Sequence, residues 1–364
     1  MSLVHFVGHL QRLGVRNTIL PLFSRRTSAL IPELRALGVN VLDPPDGRLL
    51  RHATTIRRLL RTAKPDLVHS TIWEADLASR LAAVCSDTLH VVSLVNTPFV
   101  PEAFAAARSP RRLKLFRCIE GFLARHMTDA FHAVTQIAAD HAVEHLGIDS
   151  ARIKVIPRGR DRDLLGEPTP ERRARVRGQL GVPLDADVVL NVARHEPPKG
   201  LPHLVRAFAK VSAIRPRAVL LVAGREGSAT PSLRAEIERL GLNSRVRLLG
   251  RRNDVPDLLA AADVFLFSSL WEGIGGAVLE AMAMNVPVVT FAVPGLMEAL
   301  GGNGLVSPLG DEDGLAAHTL QILEDADRGQ ALAAIARTHF EERYTIPAVA
   351  AQMAQFYREL ADSR

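Results

Sequence analysis

Short apolar runs recur along this chain, each followed by a stretch of helical periodicity. That alternation restricts the fold more than any other feature. Residues 2–13 place Leu3, Phe6, Val7, Leu10 and Leu13 on one helical face, closed by Gly14. Strand patterns follow at 18–23, 39–42, 67–69, 91–95, 130–134 and 153–157. Helical patterns stand between them at 29–37, 49–63, 75–84, 111–126 and 136–146. A second set has strands at 188–192, 218–223, 246–249, 264–267 and 288–291. Its helices are expected at 201–213, 231–240, 255–261, 315–323, 329–340 and 347–360. Strands alternating with helices predict parallel, doubly wound α/β sheets. Residues 160–185 are rich in Arg, Pro, Gly and acid without an apolar strand, and read as a linker leading into the second domain.

The length, 364 residues, suits two domains. No apolar run approaches the ~20 residues a membrane-spanning helix needs. The N-terminus is too short and too weakly charged to read as a secretory signal. Cys85 and Cys118 form no metal-like or disulfide spacing and read as reduced core or surface thiols, pointing to the cytoplasm. The net charge of +6 is uneven: residues 1–170 carry +7 and the remainder −1. A basic half can face an anionic membrane, an acidic acceptor or nucleic acid. Aromatics are sparse and not interleaved with the basic residues, so no stacking platform for nucleic acid is present. The segment 111–117, with Arg57, Arg58 and Arg61, could lay a basic amphipathic face on an anionic bilayer or form a solvated helix face.

The chemistry concentrates in residues 267–282. An apolar strand ends at Ser268 and Ser269, Gly273, Gly275 and Gly276 relax the backbone, and a helical pattern begins at Ala277. Such a turn at the carboxyl edge of a parallel sheet presents free helix N–H groups to an anion. Glu272 lies in the loop and Glu280 about one turn into the helix, both able to accept hydrogen bonds from sugar or ribose hydroxyls. A purely structural turn with solvated acids is the alternative. After the strand at 188–192 come Arg194 and Lys199 in one loop, a fork and a point charge suited to a diphosphate. Two histidine pairs, His141/His145 and His5/His9, have helical metal-like spacing without a third ligand and read as helix faces. Asp161/Asp163 and Asp311/Asp313 read as solvated turn acids. No nucleophilic Ser-His-Asp or Cys-His arrangement can be assembled.

The run Glu272-Gly-x-Gly-x-x-x-Leu-Glu280-Ala-Met-Ala, followed by residues 285–289 and by Pro294-Gly295, resembles the nucleotide-sugar signature of retaining GT-B glycosyltransferases, family 4 in particular. Residues 193–200 resemble that family's Gly-Arg-x-x-x-x-Lys-Gly element, with Ala193 in the glycine place. The resemblance implies a GT-B fold, two Rossmann-like doubly wound parallel-sheet domains facing a cleft. It implies an acceptor-side domain at 1–165, a donor domain at 166–345, and a C-terminal helix at 346–364 crossing back to the first. It assigns catalytic roles to Arg194, Lys199 and Glu272. Donor binding falls to Arg251, Gly275, Gly276, Ala277, Val278, Leu279 and Glu280, and the acceptor side to Asn96 and His69.

The implied reaction moves a sugar, with retention, from a UDP- or GDP-sugar to a lipid-linked or glycan hydroxyl in bacterial cell-surface synthesis, without metal or other cofactor. The implied setting is cytoplasmic, with association at the inner face of the plasma membrane. Relatives open with a strand and a glycine-rich loop before the helix at 2–13, so an N-terminal strand is expected to be missing. The competing alignment takes residues 3–7 as that strand. Rival readings are a nucleotide-sugar epimerase of the same architecture and a binding-only chain, the latter favoured by the missing strand and by Asn96.

Overall fold

The computed structural model describes residues 2–22, 30–45, 47, 49–84, 86–106 and 109–363. The last residue of the strand expected at 18–23, the first of the helix expected at 29–37, and Cys85 lie outside the described residues. The chain divides into two compact units, Met1–Asp161 with Arg343–Arg364, and Arg162–Glu342.

The first unit runs α1 (Ser2–Arg12), β1 (Thr18–Ile19), α2 (Ile31–Ala36), β2 (Asn40–Val41), α3 (Leu49–Ala63), β3 (Leu67–Ser70) and α4 (Trp73–Ala83). It continues β4 (Leu89–Leu94), α5 (Pro101–Ala106), α6 (Pro110–His126), β5 (Ala130–Ala133), α7 (Gln136–Leu146) and β6 (Ile153–Val155). Residues 3–7 belong to a helix, so the alternative of a first strand there is excluded. The strands form two parallel sheets, a pair β1-β2 and a four-stranded sheet β3-β4-β5-β6.

The second unit runs α8 (Arg162–Leu165), α9 (Pro170–Leu180), β7 (Val188–Val192), α10 (Leu201–Ile214), β8 (Val219–Ala223), α11 (Thr230–Arg239), β9 (Val246–Gly250) and α12 (Val255–Ala261). It continues β10 (Val264–Phe267), α13 (Gly276–Ala283), β11 (Val288–Phe291), α14 (Pro294–Leu300), β12 (Leu305–Ser307), α15 (Glu312–Glu324) and α16 (Ala326–Arg343). Its parallel sheet has the order β12-β11-β10-β7-β8-β9. Both faces of such a sheet are covered, which is why its strands read as unbroken apolar runs. Val188, Leu190, Leu220, Leu221, Phe265 and Leu266 are fully buried.

The last helix, α17 (Ile346–Asp362), belongs to the first unit. Val349, Ala350, Met353, Ala354 and Phe356 share a core with Leu10 of α1, Val91, Ala130 and Ile156. The Arg358 guanidinium donates to the Leu13 carbonyl at 2.6 Å.

The linker reading of 160–185 needs correction, because α9 lies inside it. This helix is tied down by guanidinium groups rather than an apolar stripe, so it has no hydrophobic periodicity to read. Arg177 is 1% exposed and donates to the carbonyls of Ala261, Leu184 and Ala186 and to the Asp263 carboxylate. Arg172 reaches Asp257 at 2.7 Å. Arg57, expected on a basic outer face, instead donates to the Leu81, Ala82 and Val84 carbonyls at the end of α4. Asp311 is not a solvated turn acid: it caps α15 by accepting from the Gly314 amide at 2.9 Å.

The first unit also buries titratable groups. Arg80 is fully buried and makes a two-pronged pair with Glu120, each contact 2.8 Å, while Trp73 donates to the same carboxylate. Burial pushes the Asp76 carboxyl up to about 7. It also holds His69 down to about 3, and His90, His132 and His141 down to about 4. Between about pH 6.5 and 4 the unfolded chain takes up protons on these histidines that the folded unit refuses. Stability therefore falls as the pH drops through that window. Asp76 has the opposite sign, since the folded unit keeps a proton that the unfolded chain loses above about pH 4.

Four histidines outweigh one carboxyl, so the net slope follows the imidazoles, at about 1.4 kcal/mol per pH unit for each proton of imbalance. Urea unfolding followed through Trp73 in a W271F variant should show a midpoint that drops from pH 6.5 to pH 4. A flat profile would contradict the buried neutral histidines.

Candidate active site

In the second unit the chain first lays down β7, then adds β8 and β9 on one side, and returns to add β10, β11 and β12 on the other. The reversal falls between β7 and β10. At such a point the loops leaving the two strands diverge to opposite faces and leave a crevice at the carboxyl edge. Residues 193–200 follow β7 and residues 268–275 follow β10, so both sequence-predicted segments arrive at one crevice.

The two loops are stitched together. Lys199 Nζ contacts Glu272 Oε2 in an ion pair, and the ammonium also stands 5.6 Å from the Phe267 ring centroid. Ser268 Oγ donates to the Lys199 carbonyl at 2.9 Å, and the Leu270 amide donates to the Pro198 carbonyl at 2.8 Å. Gly200 has φ +55°, and a Cβ there would lie 2.2 Å from the Ser268 carbonyl oxygen. Gly295, opening α14, is packed as closely, with a Cβ 2.3 Å from the Gly273 oxygen and 2.4 Å from that of Glu272. The backbone carrying Glu272 is therefore held between two glycines.

Gly275, at φ +68°, turns this loop into α13 with no side chain capping the helix. The Gly276 and Ala277 amides, first in the helix, have no carbonyl one turn back to bond, and the dipole favours an anion before them. Val278 and Leu279 are buried against the core, while Glu280 is half-buried. Arg194 is exposed, and among the described residues its side chain has no ion-pair partner. The arrangement thus offers one open guanidinium, one ammonium shared with a carboxylate, and an open helix N-terminus at a single crevice. That is a set of groups for holding an anionic ligand that also carries hydroxyls.

Other expected residues stand apart. Arg251 is exposed just after β9, two strands from β7, or about 10 Å across the sheet. The Gly224 amide donates to the Gly250 carbonyl at 2.8 Å, which continues the strand-end ladder toward it. Asn96 and His69 belong to the first unit. Asn96 is exposed beyond β4. His69 has both ring nitrogens engaged, Nδ1 with Tyr357 Oη at 2.6 Å and Nε2 with Ser93 Oγ at 2.8 Å. That is the bonding of a structural residue. His141 Nε2 accepts from the Phe99 amide at 3.2 Å, and His5 pairs with Asp161 at 2.6 Å.

The profile of Glycosyltransferase Family 4 matches residues 1–164, and that of Glycosyl transferases group 1 matches residues 186–325. A D-inositol 3-phosphate glycosyltransferase of Corynebacterium urealyticum is 30% identical over 316 residues, spanning 81% of this chain and 72% of the relative. The chain belongs to these glycosyltransferases. A 2-deoxystreptamine N-acetyl-D-glucosaminyltransferase of Streptomyces fradiae is also 30% identical, over 88% of this chain and 77% of its own. HepE of Anabaena, solved with UDP-glucose, shares the fold with a TM-score of 0.84 at 24% identity, over 98% of this chain and 95% of that one. The fold of this glycosyltransferase is GT-B.

Sequence reasoning missed one group beside this glycosyltransferase's crevice. His195 is fully buried, its Nδ1 lies 3.1 Å from Thr230 Oγ1, and among the described residues Nε2 has no partner. Burial holds it below the usual imidazole range. Its amide donates to the Arg225 carbonyl and its own carbonyl accepts from the Ala229 amide. It thereby clamps the loop after β8 to the loop that carries Arg194. The signal was the alternation of buried Ala193, exposed Arg194 and buried His195, which continues the strand period past β7.

Proposed function

We propose that this glycosyltransferase transfers a sugar from a nucleotide-diphosphate donor to a hydroxyl acceptor, with retention of configuration and without a metal. The observation that carries the reading is the Lys199–Glu272 contact across the β7/β10 crevice, beside the exposed Arg194 and the open N-terminus of α13. The donor diphosphate is held by Arg194, Lys199 and the Gly276 and Ala277 amides. Gly275 lets the backbone approach, while Val278 and Leu279 anchor the helix beneath. Glu272 and Glu280 accept hydrogen bonds from sugar and ribose hydroxyls, and Arg251 lies toward the base. As the bond from the anomeric carbon to the diphosphate oxygen breaks, the acceptor oxygen bonds to that carbon on the same face. Its proton passes to the departing diphosphate, so the products are a glycoside and a nucleoside diphosphate. The protein's work is stabilising the charge on the leaving group.

A UDP-sugar donor draws support from HepE, solved with UDP-glucose, and a GDP-sugar is the alternative. A lipid-linked or glycan acceptor draws support from an Escherichia coli relative named as a galactosyltransferase acting on a diphosphoundecaprenol acceptor, 26% identical over 68% of this chain and 62% of its own. We place the acceptor on the first unit near Asn96, with His69 holding the strand end behind it. Cell-surface glycan synthesis is the setting that fits such acceptors. The outer face of α6 supports approach to an anionic bilayer: Leu115, Ile119 and Phe122 are exposed in a helical stripe flanked by exposed Arg111, Arg112 and Lys114.

With a donor chosen from UDP-, GDP- and ADP-sugars by thermal shift, Arg194→Ala and Lys199→Ala should each lower kcat about a hundredfold, or about 2.7 kcal/mol, and EDTA should change nothing. Losses below about threefold would remove these cations from the reaction. Flotation with anionic liposomes should be abolished when Arg111, Arg112 and Lys114 become Glu, and unchanged flotation would remove the membrane contact.

A further inference from the structure

Nearly every cation of the second unit is engaged within the fold. Among the described residues, its arginine and lysine side chains meet a carboxylate, a carbonyl or a side-chain amide with three exceptions, Arg194, Arg225 and Arg251, all exposed. Their neighbours show the contrast: Arg206 binds Glu236 and Glu312, Arg215 binds Asp187, and Arg252, next to Arg251, binds Asp254. The three do not scatter. They follow the carboxyl ends of β7, β8 and β9, which are adjacent in the sheet.

Backbone pairing brings two of them together. Val192 of β7 stands opposite Ala223 of β8. The parallel ladder runs on past both strands, since the Ala193 amide donates to the Ala223 carbonyl at 2.9 Å and the His195 amide to the Arg225 carbonyl at 3.0 Å. That pattern sets Arg194 directly opposite Arg225, the two rooted one strand spacing apart, about 4.8 Å. Glycine permits the approach: a Cβ on Gly224 would lie 1.7 Å from the Ala193 carbonyl oxygen, and one on Gly227 2.5 Å from that of His195. Ala193 and His195 are buried on either side of Arg194, which turns the arginine outward.

Like charges directly opposite one another destabilise a ladder. The nearby acids do not offset these two, because Glu226 pairs with Arg234 at 2.6 Å and Glu196 accepts from Ser228 Oγ at 2.8 Å. A phosphate between the guanidinium groups would relieve the repulsion, since each fork can take two of its oxygens. Lys199 meanwhile shares its charge with Glu272, so a diphosphate in the crevice meets only one uncompensated cation from the β7 loop. We infer that Arg225 is a further cation of the donor site, closing with Arg194 on the diphosphate from its nucleoside side. The inference rests on the proposed function, in which the base lies toward Arg251; β8 stands between β7 and the strand that leads to it.

Isothermal titration of the full chain with UDP and with GDP, without acceptor, reads the donor site alone. For the tighter of the two, Arg225→Ala should weaken binding at least about fivefold. Arg225→Lys, which keeps the charge without the fork, should fall between that variant and the unaltered chain. Arg217→Ala removes an exposed cation before β8, at the opposite edge of the same sheet, and should change nothing. The ligand-free melting temperature of Arg225→Ala should hold or rise, because a like-charged neighbour is gone. A smaller loss of binding, or an equal loss in Arg217→Ala, would overturn the inference. So would a loss accompanied by a lower ligand-free melting temperature, which would make Arg225 structural. Weakening by Arg194→Ala but not by Arg225→Ala would remove this residue and leave the donor site standing, whereas an unaltered chain that binds neither nucleotide would remove both.

Discussion

Much of the second unit's site rests on the ion pair between Lys199 and Glu272. The two residues come from loops 73 positions apart, and their contact joins the strands on either side of the sheet's reversal. An isolated surface pair contributes little. This one is mostly covered, with side chains 15% and 19% exposed, and is flanked by Ser268 bonding the Lys199 carbonyl and by Gly200 and Gly295 against the neighbouring backbone. The pair keeps an ammonium and a carboxylate at the mouth of a crevice whose floor is a helix N-terminus. A ligand bearing both phosphate and hydroxyl groups can bind each partner in turn, whereas a plain anion would have to compete with Glu272 for Lys199. On the proposed function, that competition would favour a sugar diphosphate over free phosphate.

One topological rule organises the second unit. A parallel sheet whose chain reverses direction opens a crevice at its carboxyl edge, and the residues that matter collect there. In the second unit the reversal is flanked by cations and acids. In the first unit the described strands form two separate sheets, β1-β2 and β3-β4-β5-β6. His69 stands in β3 with both nitrogens engaged by Ser93 and Tyr357. Tyr357 comes from α17, so the closing helix of the chain also steadies that sheet edge.

Much of this was legible in the sequence. The strands of the second unit are apolar on both faces, so β7, β8, β10 and β11 emerge as unbroken runs. The glycines before α13 mark a turn that only a relaxed backbone can make. One element that escaped notice is held by polar contacts. Helix α9 is bound by Arg172, Arg173 and Arg177 to carboxylates and carbonyls, and guanidinium contacts leave no hydrophobic period. Among the described residues of the strand expected at 18–23, only Thr18–Ile19 are laddered, while Leu20 and Leu22 pack against the α3 and α4 core. That Lys199 would meet Glu272 could not be read from spacing, since it depends on which strands become neighbours.

A structure of the chain bound to a UDP-sugar tests the central claim most directly. The account predicts the diphosphate within about 3 Å of Arg194, Lys199 and the Gly276 and Ala277 amides, with the Lys199–Glu272 contact opened or shared and a sugar or ribose hydroxyl on Glu272 or Glu280. A nucleotide seated elsewhere, such as the cavity of about 370 Å³ lined by Arg173, Asp263 and Asn285, would contradict it.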